Sequence, residues 1–461
     1  MRTDLHIQNF GKVKSADIRL RPFTVIVGPN SSGKSFITKA LYSIFHSMNK
    51  DLATDFLMER LSSASGQILD VLHHLIRPSQ KDLTVINELL DTISELEGEI
   101  GDVYEDVTIL DNVVISKKIN DFYPRIQNSF EQLKKQLSVG KGTKLNSVAR
   151  ELSMLEYDIR HIRIFSQDIE QVYVSQFQSD LKQEFLENFQ VSTLAHLLSL
   201  NSQESTFEFS KIGTVRLEEY SVGFSLNRNG IAELQHLYNV VYLESPIYFK
   251  LKKALRNIRL SNVSFRRKGF LNQVPKYFYD LEQLLDSKIS GNNSEFLPIL
   301  ELIESKINGS INITNGDITF IDHDQMDIEI PLNMVSSGIS NLGLIALLIK
   351  QNILSKGSYL FIDEPEVNLH TEWQHVMLDV LVELSKRDVM VVIATHSLDM
   401  IYRFENVVSQ EKQLVAADHF SLNRLTQEGT SIPSEGLITD IRRAKEDLGR
   451  PYVELLKARL P

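Results

Sequence analysis

The chain has 461 residues, of which 42% are hydrophobic and 24% are charged, and its formal net charge is −11. This composition is typical of a globular protein and excludes a disordered or fibrous chain, while the acidic balance argues against a surface that binds nucleic acid all over. The chain has no cysteine, which excludes disulfides and cysteine-ligated zinc and favours a reducing compartment.

The first residues, "MRTDLHIQNF", lack the apolar core of a signal peptide. Elsewhere the apolar runs are far shorter than the roughly 20 residues that a membrane helix needs. We therefore expect a cytoplasmic protein with no membrane partner.

Residues 3–27 alternate as strands do and end in the apolar run "FTVIVG", which predicts a strand buried on both faces. A helix is predicted from Lys34 to about Met48. Between them lies "GPNSSGKS", which fits the P-loop pattern G-x-x-x-x-G-K-[ST] in the strand–loop–helix context that the pattern requires.

The P-loop pattern predicts a site for ATP and Mg²⁺. Its glycines let backbone N–H groups turn towards phosphate oxygens, and the helix N-terminus adds its dipole. Lys34 can reach the β- and γ-phosphates, and the Ser35 hydroxyl can ligate Mg²⁺. The predicted ATP-binding residues are Gly28, Pro29, Asn30, Ser31, Ser32, Gly33, Lys34 and Ser35.

Residues 51–200 have leucine and isoleucine at helical spacing, and Pro78, Pro124, Gly140 and Gly142 are expected to divide them into several helices. Sustained heptads are not visible, so a compact helical arm is favoured over a long coiled coil.

Charge is unevenly distributed along the chain. Residues 82–116 hold ten acidic residues and no Lys or Arg, whereas residues 245–279 hold nine basic residues and no acid. The basic run is a candidate contact for DNA or for a protein partner, and a solvated helix face is the third interpretation. The candidate contact residues are Lys252, Lys253, Arg256, Arg259, Arg266, Arg267 and Lys268.

Strand patterns return after residue 206 and alternate with helices to the C-terminus, including the hairpin "INITNGDITFI" with Asn-Gly at its tip. Strand and helix thus alternate at both ends of the chain around a helical block, which predicts one α/β nucleotide-binding core split by an insertion. The predicted divisions are 1–50, 51–205, 206–332 and 333–461.

In "YLFIDEPE", four apolar residues lead into two carboxylates at the end of a predicted strand, where open α/β sheets bind ligands. Adjacent strand residues point to opposite sides, so Asp363 can hold Mg²⁺ while Glu364 faces an attacking water. His396 ends another apolar strand. A single histidine there is usually structural, but beside the other motifs it becomes a candidate γ-phosphate sensor.

The stretches "IQNFGKVKSADIRLRPFTVIVGPNSSGKS", "VSSGISNLG", "FIDEPEVNLH" and "IATHS", in this order, resemble the ABC-type ATPases of the RecF and OLD (overcoming lysogenisation defect) branch, related to SMC proteins. The resemblance implies an α/β ABC-type P-loop ATPase head, a mixed sheet with flanking helices, split by a long helical insertion. It also implies a homodimer or higher oligomer in which two heads share each ATP.

In that arrangement the signature turn of one copy caps the γ-phosphate bound by the other, and Ser336, Ser337 and Gly338 occupy the signature position. An ordinary N-capped core helix is the alternative. His370 stands where transporters have a D-loop aspartate, which resembles the RecF and OLD branch and argues against a transporter motor.

Only 65 residues follow His396, and they lack the acidic pattern of the Toprim nuclease that OLD proteins often carry. The "DHD" of Asp322–Asp324 is interpreted as a solvated turn. We therefore expect ATP hydrolysis and no nuclease activity in this chain.

Two functions remain open. In the first, ATP-driven head assembly gates or scaffolds a separately encoded effector such as a nuclease, as the resemblance to ATPase subunits of PARIS and Septu anti-phage systems implies. In the second, the protein is a RecF-like DNA-repair clamp, and DNA is its partner.

Overall fold

A computed structural model describes residues 2–75, 78–104, 113–137, 145–227, 237–244, 274–287, 293–314, 317–325 and 328–457. The chain forms two compact units. The first, the head unit, combines Met1–Asn49 with Asp180–Pro461, and the second, the helical unit, is Lys50–Ser179. Residues 180–205, expected to lie in the insertion, therefore pack with the P-loop end of the chain.

The strands of the described residues, in chain order, are β1 (Thr3–Phe10), β2 (Val13–Leu20), β3 (Phe23–Val27), β4 (Glu204–Phe209), β5 (Gly213–Glu218), β6 (Val222–Leu226), β7 (Val240–Glu244), β8 (Gly309–Thr314), β9 (Asp317–Asp322), β10 (Ile328–Pro331), β11 (Tyr359–Asp363), β12 (Met390–Thr395), β13 (Phe420–Leu425) and β14 (Ser431–Ile432). The α-helices are α1 (Lys34–Met48), α2 (Leu52–His74), α3 (Gln80–Tyr104), α4 (Val113–Leu137), α5 (Leu145–Gln167), α6 (Ile169–Phe189), α7 (Lys276–Asp286), α8 (Leu297–Ile307), α9 (Ser337–Lys350), α10 (Thr371–Ser385), α11 (Leu398–Gln410), α12 (Lys412–Ala416) and α13 (Leu437–Lys457).

The main sheet of the head unit has the strand order β14-β13-β3-β12-β11-β7. Its strands run parallel except for the short β14, which is antiparallel to β13. Every residue of β3, β11, β12 and β13 is buried, as strands covered on both faces require. The parallel order brings the carboxyl ends of β3, β12 and β11 to one edge, where their motifs meet.

A second, antiparallel sheet has the order β2-β1-β4-β5-β6 and alternates buried and exposed residues. Its core centres on Phe10, whose ring packs edge-on against Phe36, Phe185, Phe189 and Phe207 at centroid distances of 5.0–5.9 Å. This aromatic cluster joins the sheet to α1 and to the C-terminal part of α6.

The predicted hairpin is the pair β8–β9 of a three-stranded sheet with the order β10-β9-β8. Its register pairs Thr314 with Asp317 and leaves two residues for the tip, as the Asn-Gly signal predicts. The mixed α/β head split by a helical insertion is thus confirmed.

The helical unit contains α2 to α5 and the beginning of α6. Pro124 lies inside α4, so the expectation that it ends a helix is wrong. An interior proline removes one backbone hydrogen bond at a cost of about 3 kcal/mol. Packing of the buried Ile119, Ile126, Phe130 and Leu133 of α4 offsets that loss.

Among the described helices, not one combines the length and the hydropathy that crossing a bilayer requires.

Candidate nucleotide and magnesium site

The loop Gly28–Ser35 connects β3 to α1 at the carboxyl edge of the parallel sheet. Gly33 has φ +99°, and a Cβ there would lie 2.6 Å from Val13 Cγ2. A Cβ on Gly28 would lie 2.7 Å from the carbonyl oxygen of Leu425. Both positions therefore need glycine, the first for its left-handed backbone and the second for close approach of the neighbouring strand.

The Lys34 ammonium is folded over its own loop. Its Nζ donates to the carbonyl oxygens of Gly28 at 2.9 Å and Pro29 at 3.0 Å, and the residue is 6% exposed. Burial lowers the pKa of Lys34, and the nearby carboxylates of Glu364 and Asp363 act in the opposite direction. Phosphate oxygens can replace the two carbonyls as acceptors, so the geometry suits the role predicted for this lysine.

Asp363 ends β11 and is 5% exposed. Its Oδ1 is buried without a hydrogen-bond partner among the described residues, and its Oδ2 accepts from the Tyr242 hydroxyl at 3.5 Å. Burial raises the pKa of Asp363 to about 6, and the nearby Ser35 hydroxyl opposes this increase. A buried carboxylate oxygen without a partner beside a hydroxyl is a donor set that Mg²⁺ accepts, so these residues fit the ion.

Four residues that the sequence analysis missed lie around Asp363, namely Tyr242, Glu244, Lys39 and Tyr277. Glu244 ends β7 and is paired in parallel register with Asp363. Its carboxylate lies 3.1 Å from Lys39 Nζ on α1 and accepts a hydrogen bond from the Tyr277 hydroxyl of α7. A signal existed for Glu244, because "VVYLE" is an apolar strand that ends in a carboxylate, as "YLFID" does.

Glu364 and His396 lie side by side at the ends of β11 and β12. Nδ1 of His396 is 3.3 Å from Oε1 of Glu364, and both side chains are 39% exposed. Glu364 has φ +53° and donates its backbone N–H to the Ala394 carbonyl at 2.9 Å. A non-glycine residue in the left-handed region is uncommon and is concentrated at functional sites, so the strand end is shaped to present this carboxylate.

The predicted signature turn starts α9. The Ser336 hydroxyl accepts from the Ile339 backbone N–H at 3.4 Å as an N-cap, and the Ser337 hydroxyl donates to the Asn368 carbonyl at 2.7 Å. Gly338 lies under the indole of Trp373, where a Cβ would approach within 2.8 Å of the ring. The turn is therefore bound to the loop that follows Glu364.

In the described part of the chain, the hydrogen bonds of the signature serines stay within this region and do not reach the P-loop. His370, at the D-loop position, caps α10 through an Nδ1 that accepts from the Glu372 backbone N–H at 3.4 Å. One copy of the chain thus brings together the P-loop, Asp363, Glu364 and His396, and the hydrogen bonds of the predicted signature turn go to the loop that follows Glu364.

The basic candidates Lys252, Lys253, Arg256, Arg259, Arg266, Arg267 and Lys268 lie outside the described residues.

A strand, a glycine loop and a helix in this order define the P-loop class of nucleotide-binding proteins. Residues 1–401 match the family model AAA_15, described as an AAA ATPase domain. The chain therefore belongs to this family of ATPases, whose members bind ATP. No curated protein sequence matches the chain significantly.

Solved structures give low-scoring similarities. An SMC head bound to the C-winged helix domain of ScpA is 12% identical, with 96% of this chain and 99% of that chain covered and a TM-score of 0.40. The SMC head domain from Thermotoga maritima is 12% identical, with 94% and 100% covered and a TM-score of 0.36. A dimeric bacterial ABC transporter cassette is 13% identical, with 49% and 73% covered and a TM-score of 0.21.

A site in which Asp363 holds Mg²⁺ is expected to depend on pH, because the pKa of this carboxyl is about 6. A proton and Mg²⁺ compete for the same carboxylate, so lowering the pH from 7.5 to 5.0 should weaken Mg²⁺ binding about tenfold. The measurement is the Mg²⁺ concentration that half-maximally raises Tm in the presence of ADP.

The matched control is Asp363→Asn, which lacks the carboxylate. Protonation of the nucleotide itself affects the control and the wild type equally. The contribution of Asp363 is the difference between the two proteins. Equal pH dependence in both would show that this residue does not hold the metal.

Proposed function

We propose that this protein is a Mg²⁺-dependent ATP hydrolase of the ABC type whose heads assemble around shared ATP. The observation that carries the proposal is the convergence of Lys34, Asp363, Glu364 and His396 at one edge of the parallel sheet. Ligands of open α/β sheets bind at that edge.

Each residue has a distinct task in the proposed reaction. The P-loop N–H groups and Lys34 bind the β- and γ-phosphates, and Ser35 with Asp363 would hold Mg²⁺, which neutralises phosphate charge. Glu364 orients the attacking water and accepts its proton as the water oxygen bonds to the γ-phosphorus. The bond from that phosphorus to the bridging oxygen breaks, which releases ADP and phosphate. His396 contacts the γ-phosphate and distinguishes ATP from ADP.

The signature turn completes the site in a second copy. A helix N-terminus with free N–H groups attracts anions, and one head already holds the phosphates with its own loop. Ser336 is exposed and Met334, just before it, is 74% exposed. This accessibility supports a role for the turn in binding the γ-phosphate on a neighbouring head.

Mixing two inactive variants tests the shared site. In a dimer of Lys34→Ala with Ser336→Arg, one site combines the intact P-loop of one copy with the intact signature of the other. At equal concentrations half of the dimers are mixed, so we expect about a quarter of the wild-type ATPase rate. Each variant alone is the control, and mixtures as inactive as the separate variants would count against shared sites.

For the biological role, we propose ATP-dependent control of a separately encoded effector, such as a nuclease, in anti-phage defence. Support comes from the RecF- and OLD-like motif order and from His370 at the D-loop position. The effector would supply the nuclease chemistry, and this chain would supply ATP hydrolysis.

A RecF-like DNA clamp is the second candidate, and the basic run at residues 245–279 favours it. The neighbouring open reading frames discriminate between the two roles. A small nuclease gene favours defence, and replication genes favour repair.

A further inference from the structure

A third carboxylate, that of Glu366, is buried beneath His396. Glu366 is 7% exposed, and its Oε1 accepts hydrogen bonds from the Thr395 hydroxyl at 2.6 Å and from the His396 backbone N–H at 2.9 Å. Burying a carboxylate costs free energy, which the two donors to Oε1 offset in part; Oε2 is buried without a hydrogen-bond partner among the described residues. This carboxylate therefore fixes the backbone at His396.

The same contacts join the ends of two parallel strands. Glu364 donates its N–H to Ala394 at the end of β12, and Glu366 returns from the following turn to bind Thr395 and His396. The turn is closed by the N–H of Leu369, which donates to the Glu366 carbonyl at 3.0 Å. Glu366 thus fixes the position of His396 relative to Glu364, the carboxylate proposed to activate water.

The ring of His396 lies between two carboxylates that differ in solvent exposure. Its Nδ1 is 3.3 Å from Oε1 of Glu364 and 3.4 Å from Oε1 of Glu366. Neither contact has hydrogen-bond geometry, and Nδ1 is buried without a hydrogen-bond partner among the described residues. Carboxylates only accept, so their charge at these distances favours a hydrogen on Nδ1 and leaves Nε2 on the opposite edge of the ring. The Glu364 side chain is 39% exposed and that of Glu366 only 6%, so Glu364 can turn towards water while Glu366 stays in place.

We propose that Glu366 is a positioning residue that holds His396 in place and thereby frees Glu364 to act on the attacking water. The inference rests on the proposed ATP hydrolysis. Without the charge of Glu366, His396 has one carboxylate partner left, and that partner is the catalytic one. Loss of Glu366 should therefore slow hydrolysis while ATP binding, which depends on the P-loop, is retained.

The test variant is Glu366→Gln, which keeps an acceptor oxygen for Thr395 and His396 but removes the charge beside Nδ1. We expect kcat to fall by at least about tenfold, the range seen when a residue that orients a site residue is lost, with the Kd for ATP unchanged within about threefold. Glu372→Gln, an exposed carboxylate on the first turn of α10, is the matched control and should retain the wild-type kcat.

A double variant separates positioning from simple support of the fold. If Glu366 acts through the histidine, Glu366→Gln combined with His396→Ala should be no slower than His396→Ala alone. A double variant whose loss of kcat equals the product of the two single losses would overturn the inference, and so would a wild-type kcat in Glu366→Gln. Neither result would contradict the proposed ATP hydrolysis. If the wild type hydrolyses ATP no faster than Lys34→Ala, the proposed function is wrong, and the role of Glu366 is wrong with it.

A second variant covers the case in which Glu366→Gln misfolds, seen as lost ATP binding and a lowered Tm. Thr395→Val removes one donor to Glu366 and leaves the carboxylate. We expect a severalfold lower kcat with unchanged ATP affinity, and an unchanged kcat would contradict the role.

Discussion

Lys34→Ala is expected to abolish ATP binding. The wild-type ammonium is the buried cation of a site that also holds Asp363, Glu364 and Glu366, so its removal leaves negative charge facing the triphosphate. The loss of charge-assisted hydrogen bonds and the added repulsion should weaken binding by at least about a hundredfold, or about 3 kcal/mol. Isothermal titration with ATP and Mg²⁺ measures the change.

The matched control is Lys350→Ala. Lys350 is a half-buried lysine at the C-terminal end of α9 and pairs with Glu304 at 2.7 Å, so the Lys350→Ala protein should bind ATP as the wild type does. Lys34→Ala protein that binds ATP within about threefold of the wild-type affinity would contradict the P-loop assignment.

Glu364→Gln is expected to hydrolyse ATP at least about a hundredfold more slowly, because an amide cannot take the proton of the attacking water. The P-loop and the signature remain intact, so ATP should still bind and hold two heads together. Light scattering after gel filtration with ATP and Mg²⁺ should show a long-lived dimer, and the wild type should return to monomer as ATP is consumed.

The control for the long-lived dimer is the double variant Glu364→Gln with Ser336→Arg, which still hydrolyses ATP slowly but has an altered signature turn. It should stay monomeric with ATP. A dimer that persists in the double variant would place the interface elsewhere, and an unchanged hydrolysis rate in Glu364→Gln would remove this residue from the catalytic role.

Buried parallel strands and the P-loop were predictable from the sequence because their signals are local. "FTVIV", "YLFID" and "MVVIAT" are nearly pure apolar runs. The first leads directly into the P-loop, the second ends at Asp363, and the third ends just before His396. The physical cause is that a strand covered on both faces leaves polar side chains only at its ends. The fold class follows from the order of such runs.

The partners of these residues were not predictable, because they come from distant parts of the chain. Tyr242 and Tyr277 reach the proposed metal site from β7 and α7. Only the strand order β12-β11-β7 shows that Glu244 lies beside Asp363. Glu366 looked like an ordinary loop acid. Its burial depends on the turn that begins at the left-handed Glu364.

A hydroxyl has a single hydrogen, and Ser337 gives its own to the Asn368 carbonyl, within the loop that leads away from Glu364. In the proposed pair of heads, Ser337 can donate to a triphosphate held by the other head only by releasing that carbonyl. ATP bound by one head would then loosen the loop that follows Glu364 in the other head. The backbone next to the proposed catalytic carboxylate of one head would in this way respond to the nucleotide bound by its neighbour.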